Sequence, residues 1–132
     1  MLFRSQTSKQ LWEVDISSRL FRGYTQDGQA YALTDGVCRF PDDLIAGGWI
    51  HPDSVARFRG FARDLLSGHS MGFGNFAVRN KRTNHYAWAA VSYRMLYDDA
   101  GRAVRAVGVL DELPASFAGA DGWSPEIGRA HV

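Results

Sequence analysis

Hydrophobic and polar positions divide the chain into two regions of period two separated by one of helical period. Over residues 11–16, Trp12, Val14 and Ile16 alternate with Glu13 and Asp15, which predicts a half-buried strand. Ser17, Ser18 and Arg19 turn the chain, residues 20–25 (LFRGYT) form a second short strand, and Asp27-Gly28 breaks it. Residues 31–49 carry only short apolar groups split by Asp35-Gly36, Pro41 and Gly47-Gly48, a pattern that suits short helical turns. The next signal is clear. Val55, Phe58, Phe61, Ala62, Leu65 and Leu66 recur at helical spacing, with Arg57, Arg59, Arg63 and Asp64 on the other side. Pro52 and Asp53 supply a helix start, with Asp53 placed to accept backbone N–H bonds, and Gly68 supplies a stop.

Three strands are predicted after that helix: 73–79, 86–97 and 103–113. The polar loop RNKRTN separates the first two, and Asp98 to Arg102 (DDAGR) forms a hairpin loop between the last two. Residues 2–10 are a short polar segment with Leu2 and Phe3 as apolar anchors, suited to a short helix. Pro114 closes the last strand, and 115–126 have linker composition. Two strands, a helical stretch and three strands imply an α+β fold: a five-stranded antiparallel sheet with the helices packed on one face. Such a layer can enclose an apolar pocket, for which Phe58, Phe61, Trp88 and Leu110 are the candidate liners. The same four residues could equally fill a closed core.

The 132 residues suffice for one domain, and 45% hydrophobic and 13% aromatic content argue for a packed core. Fifteen Lys and Arg against fourteen Asp and Glu leave a net charge of +1, too little for a field that would draw nucleic acid or an anionic membrane. One cysteine excludes an internal disulfide. No apolar run reaches the length of a membrane span, and the start lacks a signal-peptide core, so a cytoplasmic location without membrane contact is expected. Residues 127–132, IGRAHV, match a translated frame of a common sequencing adaptor and are read as a non-native tail. The domain plan is then an N-terminal cap over 1–10, a core domain over 11–114, the start of a linker over 115–126, and that tail.

Four stretches in order resemble PAS domains of the subtype with a PAC-like C-terminal hairpin. Phe40-Pro41-Asp42-Asp43-Leu44-Ile45 resembles that family's Y-x-P-E-E-L-I helix, and Ile50-His51-Pro52-Asp53-Ser54 its HPDD entry to the long helix. Tyr86-Ala87-Trp88 resembles the end of G-x-Y-x-W. Residues 99–104 with Val107-Gly108-Val109 resemble D-x-x-G-x-P-V followed by V-G-V. The resemblance covers about residues 8 to 114. It implies a non-catalytic sensory or regulatory domain, the N-terminal part of a bacterial signalling protein. Such a domain binds a small ligand, or pairs with a second PAS domain as in a homodimer, and biases a C-terminal output domain such as a cyclic-dinucleotide enzyme or histidine kinase. The alternative is a ligand-free protein–protein interaction module. Glu112-Leu113-Pro114 stands where the family has Asp-Ile-Thr, so Glu112 and Leu113 are the candidate signal-transmission residues and the hydroxyl is lost.

No cofactor is evident. Cys38-Arg39-Phe40 resembles the motif of flavin-binding light sensors, but there the cysteine follows the P-E-E-L-I helix. Here Cys38 precedes it, and Ala46 to Ile50 holds no cysteine. Cys38 is therefore expected to pack as a small apolar group. His51, His69 and His85 lie far apart with no Cys or carboxylate at ligand spacing, which argues against haem and metal and gives His51 a capping or packing role. Asp42-Asp43, Asp98-Asp99 and Asp111-Glu112 are sequence neighbours, which point apart and make no acid–base dyad. No acid faces the pocket to support a small α+β isomerase. Arg79-Asn80-Lys81-Arg82 reads as a solvated loop rather than a nucleic-acid contact.

Overall fold

A computed structural model describes residues 9–24, 37–80 and 84–114. Strands β1 (Lys9–Asp15) and β2 (Leu20–Tyr24) form the first hairpin. A short strand β3 (Val37–Arg39), helix α1 (Asp42–Ala46), a 3-10 turn (Pro52–Ser54) and helix α2 (Val55–Leu66) follow. Strands β4 (Met71–Arg79), β5 (Tyr86–Tyr97) and β6 (Ala103–Glu112) complete the elements among the described residues. All pairings are antiparallel, in the order β3-β2-β1-β6-β5-β4. The two hairpins meet where β1 pairs with β6, so the first and last strands lie at the centre.

The expected five strands are all present, and β3 adds a sixth. Its three residues pair with the outer side of β2, with Cys38 opposite Phe21. Three residues are too few to show a period, so helical turns were expected there. Helix α1 does occur within 31–49, while 31–36 lie outside the described residues, as do 1–8, 25–30, 81–83 and 115–132. The expected N-terminal helix, linker and tail therefore fall there in whole or in part, although Lys9 and Gln10 begin β1. Among the described residues no helix is long and apolar enough to cross a membrane.

Helix α2 runs as its spacing predicts, burying Phe58, Phe61, Ala62 and Leu65. Gly68 ends the helical stretch with φ of 90°, where a side chain would be strained. The cap differs from expectation. His51, not Asp53, is the capping acceptor: its Nδ1 receives the Asp53 N–H at 3.1 Å. The carboxylate of Asp53 sits one residue inside the turn, past the position from which it could fold back onto the first free N–H groups.

The turn after β1 depends on Asp15. Its carboxylate accepts from the Ser18 N–H (2.9 Å) and from the hydroxyls of Ser18 (2.7 Å) and Ser17 (3.0 Å). The Ser18 backbone N–H, then the two hydroxyls, hold the carboxyl below the usual carboxylate range. A lowered folded-state pKa contributes stability above the unfolded value and loses it as pH falls through the folded one. The stability difference between the native chain and Asp15→Asn is thus expected to be constant above about pH 5 and to shrink in acid. Urea midpoints of both proteins at pH 7 and pH 3 check this.

Candidate functional site

Sheet alternation decides what faces the helices. Trp12 and Val14 of β1, Phe21 of β2, Phe76 and Val78 of β4, Val91 and Tyr93 of β5, and Ala106 of β6 point to the helical side and are buried. Against them α2 sets Phe58 and Phe61, α1 sets Leu44, and the connecting segments set Phe40 and Ile50. Trp12 is the hub. Its ring lies 6.1 Å from Phe21, 6.4 Å from Phe40 and Phe61, and 6.5 Å from Tyr93, linking both hairpins to both sides of the helical layer.

The sheet admits these rings because glycine faces them on β6 and β4. A Cβ on Gly108, opposite Trp12 in the β1–β6 register, would lie 2.3 Å from the indole and 2.5 Å from the Ser92 carbonyl. A Cβ on Gly72 would lie 2.4 Å from the Tyr93 ring, and one on Gly74 would lie 2.5 Å from Phe76. Glycine normally weakens a strand, and here the loss is offset by close packing of an aromatic ring on the backbone.

A cavity of about 40 Å³ remains at the centre of this cluster, lined by apolar and aromatic residues from Trp12 on β1 through Phe58 and Phe61 on α2 to Leu110 on β6. Drug-sized pockets run to roughly 300–1,000 Å³, so this space fits only a few heavy atoms unless the rings move. Two polar atoms border the cluster without a partner among the described residues, the Trp12 indole Nε1 and the Tyr93 hydroxyl. Burial pushes the Tyr93 hydroxyl pKa up, with the Asp64 charge adding to the shift. An unsatisfied buried donor costs about 1–3 kcal/mol, but the cavity surface itself is wholly apolar, so the indole Nε1 does not face it.

Of the four pocket candidates, Phe58, Phe61 and Leu110 line this cavity and Trp88 does not. Val91 and Ala89 face inward, so strand alternation turns Trp88 to the opposite sheet face. Its ring lies 5.8 Å from the guanidinium of Arg57, which reaches round the sheet edge. The cavity residues that sequence reasoning missed include four aromatic ones, Trp12, Phe21, Phe40 and Phe76, supplied by four separate segments, and four aliphatic ones, Leu44, Ile50, Val78 and Val91. The discoverable signal was Gly108, Gly72 and Gly74 on the inward register of strands otherwise rich in large residues.

The remaining candidates have structural partners. His51 is buried, donates its backbone N–H to Ala77 O (2.9 Å) and sets its ring 4.8 Å from Tyr86, edge to face. Ser54 Oγ accepts the Ala77 N–H at 3.0 Å. The HPDS turn thus fastens the start of α2 to β4. Arg79 stacks 4.4 Å over Trp49 and donates to Gly47 O (3.1 Å), while Lys81 and Arg82 lie outside the described residues. Asp43 Oδ2 accepts the Arg39 N–H (3.0 Å), Asp98 Oδ1 accepts those of Ala100 and Arg102 (both 2.9 Å), and Asp111 lies 3.9 Å from Lys9. Cys38 is half-buried against the core cluster. Among the described residues no three His, Cys, Asp or Glu gather at metal-binding distance.

At the exit of the domain, the Leu113 N–H bonds Trp88 O at 2.8 Å, and Glu112 Oε1 receives Asn80 Nδ2 at 3.5 Å. β6 therefore leaves the sheet tied to β5 and to the start of the β4–β5 connection.

No family model and no curated protein matches the chain. Solved structures do. A sensory box histidine kinase/response regulator from Burkholderia thailandensis is 17% identical, with a TM-score of 0.55 over 96% of this chain and 85% of that one. A domain described as that of a light and redox sensing histidine kinase from Haloarcula marismortui is 17% identical, with a TM-score of 0.55 over 84% of this chain and 94% of that one. An RNA-binding light-oxygen-voltage receptor is 20% identical, with a TM-score of 0.60 over 94% of this chain but 34% of its own length. Together with the strand order and the aromatic core between sheet and α2, these likenesses give the fold its name: the chain has the α+β fold of PAS domains.

Proposed function

We propose that this chain is a non-catalytic sensory or regulatory domain of a bacterial signal-transduction protein, acting on an output domain joined after β6. The observation that carries the reading is the small, wholly apolar cavity between sheet and α2, lined by Trp12, Phe58, Phe61 and Leu110. Its chemistry suits a small, apolar, planar ligand. Entry of such a ligand displaces rings that belong at once to β1 and α2, and β1 is paired with β6 along its whole length. Ligand binding then shifts the population between two packings of one core, and Glu112 and Leu113 at the end of β6 pass the bias on. The similar kinase and receptor structures support this reading by analogy of fold.

A thermal-shift screen of small aromatic and heteroaromatic compounds tests it. A ligand at a hundred times its dissociation constant is expected to add about 2.7 kcal/mol of stability. The shift is expected to disappear in Val91→Phe, which fills the cavity, provided that variant is folded. Visible absorbance of the purified domain separately tests the expectation that neither flavin nor haem is carried, since a coloured protein would overturn it.

A second reading, a ligand-free interaction module, is favoured by the sheet face turned away from α2. Leu11, Met71, Phe73 and Val107 are exposed there. No shift with any compound, and an unaltered partner interaction in Val91→Phe, would select that reading.

A further inference from the structure

We infer that the open half of the β4 edge is a self-pairing site, on which a second copy of this chain adds antiparallel about a two-fold axis through Phe73. The inference stands whether or not the cavity takes a ligand.

β4 is an outer strand of the sheet. In its ladder with β5, the backbone groups of the odd-numbered residues point away from β5. Towards the C-terminal end they are occupied: Arg79 N–H by Trp49 O (2.8 Å), Ala77 O by the His51 N–H (2.9 Å), and Ala77 N–H by Ser54 Oγ (3.0 Å). The Asn75 carbonyl accepts Arg57 Nη1 at 2.6 Å. Before that point cover stops. The N–H and C=O of Phe73 and the N–H of Asn75 have no partner among the described residues. Natural sheets blunt such edges with bulges, proline, charges or very short strands. The opposite edge follows that rule, for β3 has three residues. The stretch Met71–Gly72–Phe73–Gly74–Asn75 uses none of these devices: it has no proline and no charge, and its register with β5 is unbroken. Its side chains also include the two most exposed large apolar ones among the described residues, Phe73 at 69% and Met71 at 55%.

The pattern is self-complementary, which selects a second copy over a foreign strand. With Phe73 opposite the partner's Phe73, the two residues exchange both N–H···O=C bonds. Asn75 then falls opposite the partner's Met71 and donates to its carbonyl. Charge follows the same symmetry. α2 runs antiparallel to β4, so Arg57 lies beside Asn75 while Asp64 lies toward Met71, both lining the cleft between helix and strand. Neither has an ion-pair partner among the described residues. The two-fold axis sets Arg57 against the partner's Asp64, and does so twice. An isologous interface needs this reciprocity.

The test is the mass of the 132-residue chain by sedimentation equilibrium across micromolar concentrations, with hydrogen exchange of the Phe73 and Asn75 amides. A mass of twice 14.7 kDa is expected at the upper concentrations, with both amides protected only in that range. Phe73→Pro removes an outward N–H that the β4–β5 ladder does not use, and is expected to weaken the dimer at least tenfold with the monomer still folded. Asp64→Arg is expected to weaken it as well, and the charge-swapped Arg57→Asp/Asp64→Arg double variant to restore it. A chain that stays monomeric throughout would overturn the proposal. So would a dimer indifferent to Phe73→Pro and to the charge reversal, or one lost only on Leu11→Glu or Val107→Glu, which would place the contact on the flat sheet face.

Discussion

Replacing Trp12 by alanine is expected to cost about 3–5 kcal/mol, the range for emptying a buried large aromatic site. The indole is 5% exposed and meets four other rings from β2, the β3–α1 connection, α2 and β5. These rings are held by separate elements and cannot all collapse into one void, so the upper part of the range is the appropriate one. Against a typical domain stability of about 5–15 kcal/mol, the variant is close to unfolding at ambient temperature. Urea denaturation followed by far-UV circular dichroism measures the loss. A cost below about 1 kcal/mol would mean that Trp12 is not the hub of the core.

Gly108→Ala is the complementary change, and adds matter at the same contact. The new Cβ would lie 2.3 Å from the indole and 2.5 Å from the Ser92 carbonyl, which belongs to the neighbouring strand and cannot step aside. Overpacking of this kind costs about 1–3 kcal/mol, and a backbone atom among the clashing partners places it at the top of that range. The two substitutions act on one contact, so they are expected to couple. Trp12→Phe shortens the ring facing Gly108, and the double variant Trp12→Phe/Gly108→Ala is expected to be more stable than the sum of the single losses. Additive losses would show that strand β6, rather than the indole, takes up the strain.

Much of this architecture is written in local pattern. α2 was legible because its apolar positions repeat at helical spacing over three turns, and β5 and β6 because an aspartate–glycine loop separates two long β-rich runs. β3 was not legible, since Val37, Cys38 and Arg39 are held in strand conformation by the edge of β2 and not by any period of their own. The inward face of β5 was ambiguous for a related reason. Trp88, Ala89, Ala90 and Val91 are all apolar, so alternation gave no phase, and Trp88 was assigned to the pocket although it lies on the opposite face. The cavity itself joins residues as far apart in sequence as Trp12 and Leu110, and such pairing follows from register and not from composition. Phe58 and Phe61 were found because α2 has a clear inward face, whereas Leu110 lies in a run, Ala106 to Leu110, that is apolar or glycine throughout and has no phase of its own. The role of His51 was half legible: its capping function was expected, but the sequence pattern alone gave the first turn to Asp53.

The central claim is that a small ligand acts through the cavity beside Trp12, and the indole N–H reports on it directly. With nitrogen-15 labelling, each tryptophan gives one indole resonance, and Trp12→Phe identifies the one from Trp12. Titration with a compound that raises the melting temperature is expected to move the Trp12 indole signal progressively as the ring repacks around the ligand. The Leu113 amide, at the far end of β6, is expected to shift with the same midpoint. A stabilising compound that leaves the Trp12 indole resonance unmoved at saturation would contradict the account, because the ligand would then be bound elsewhere on the domain.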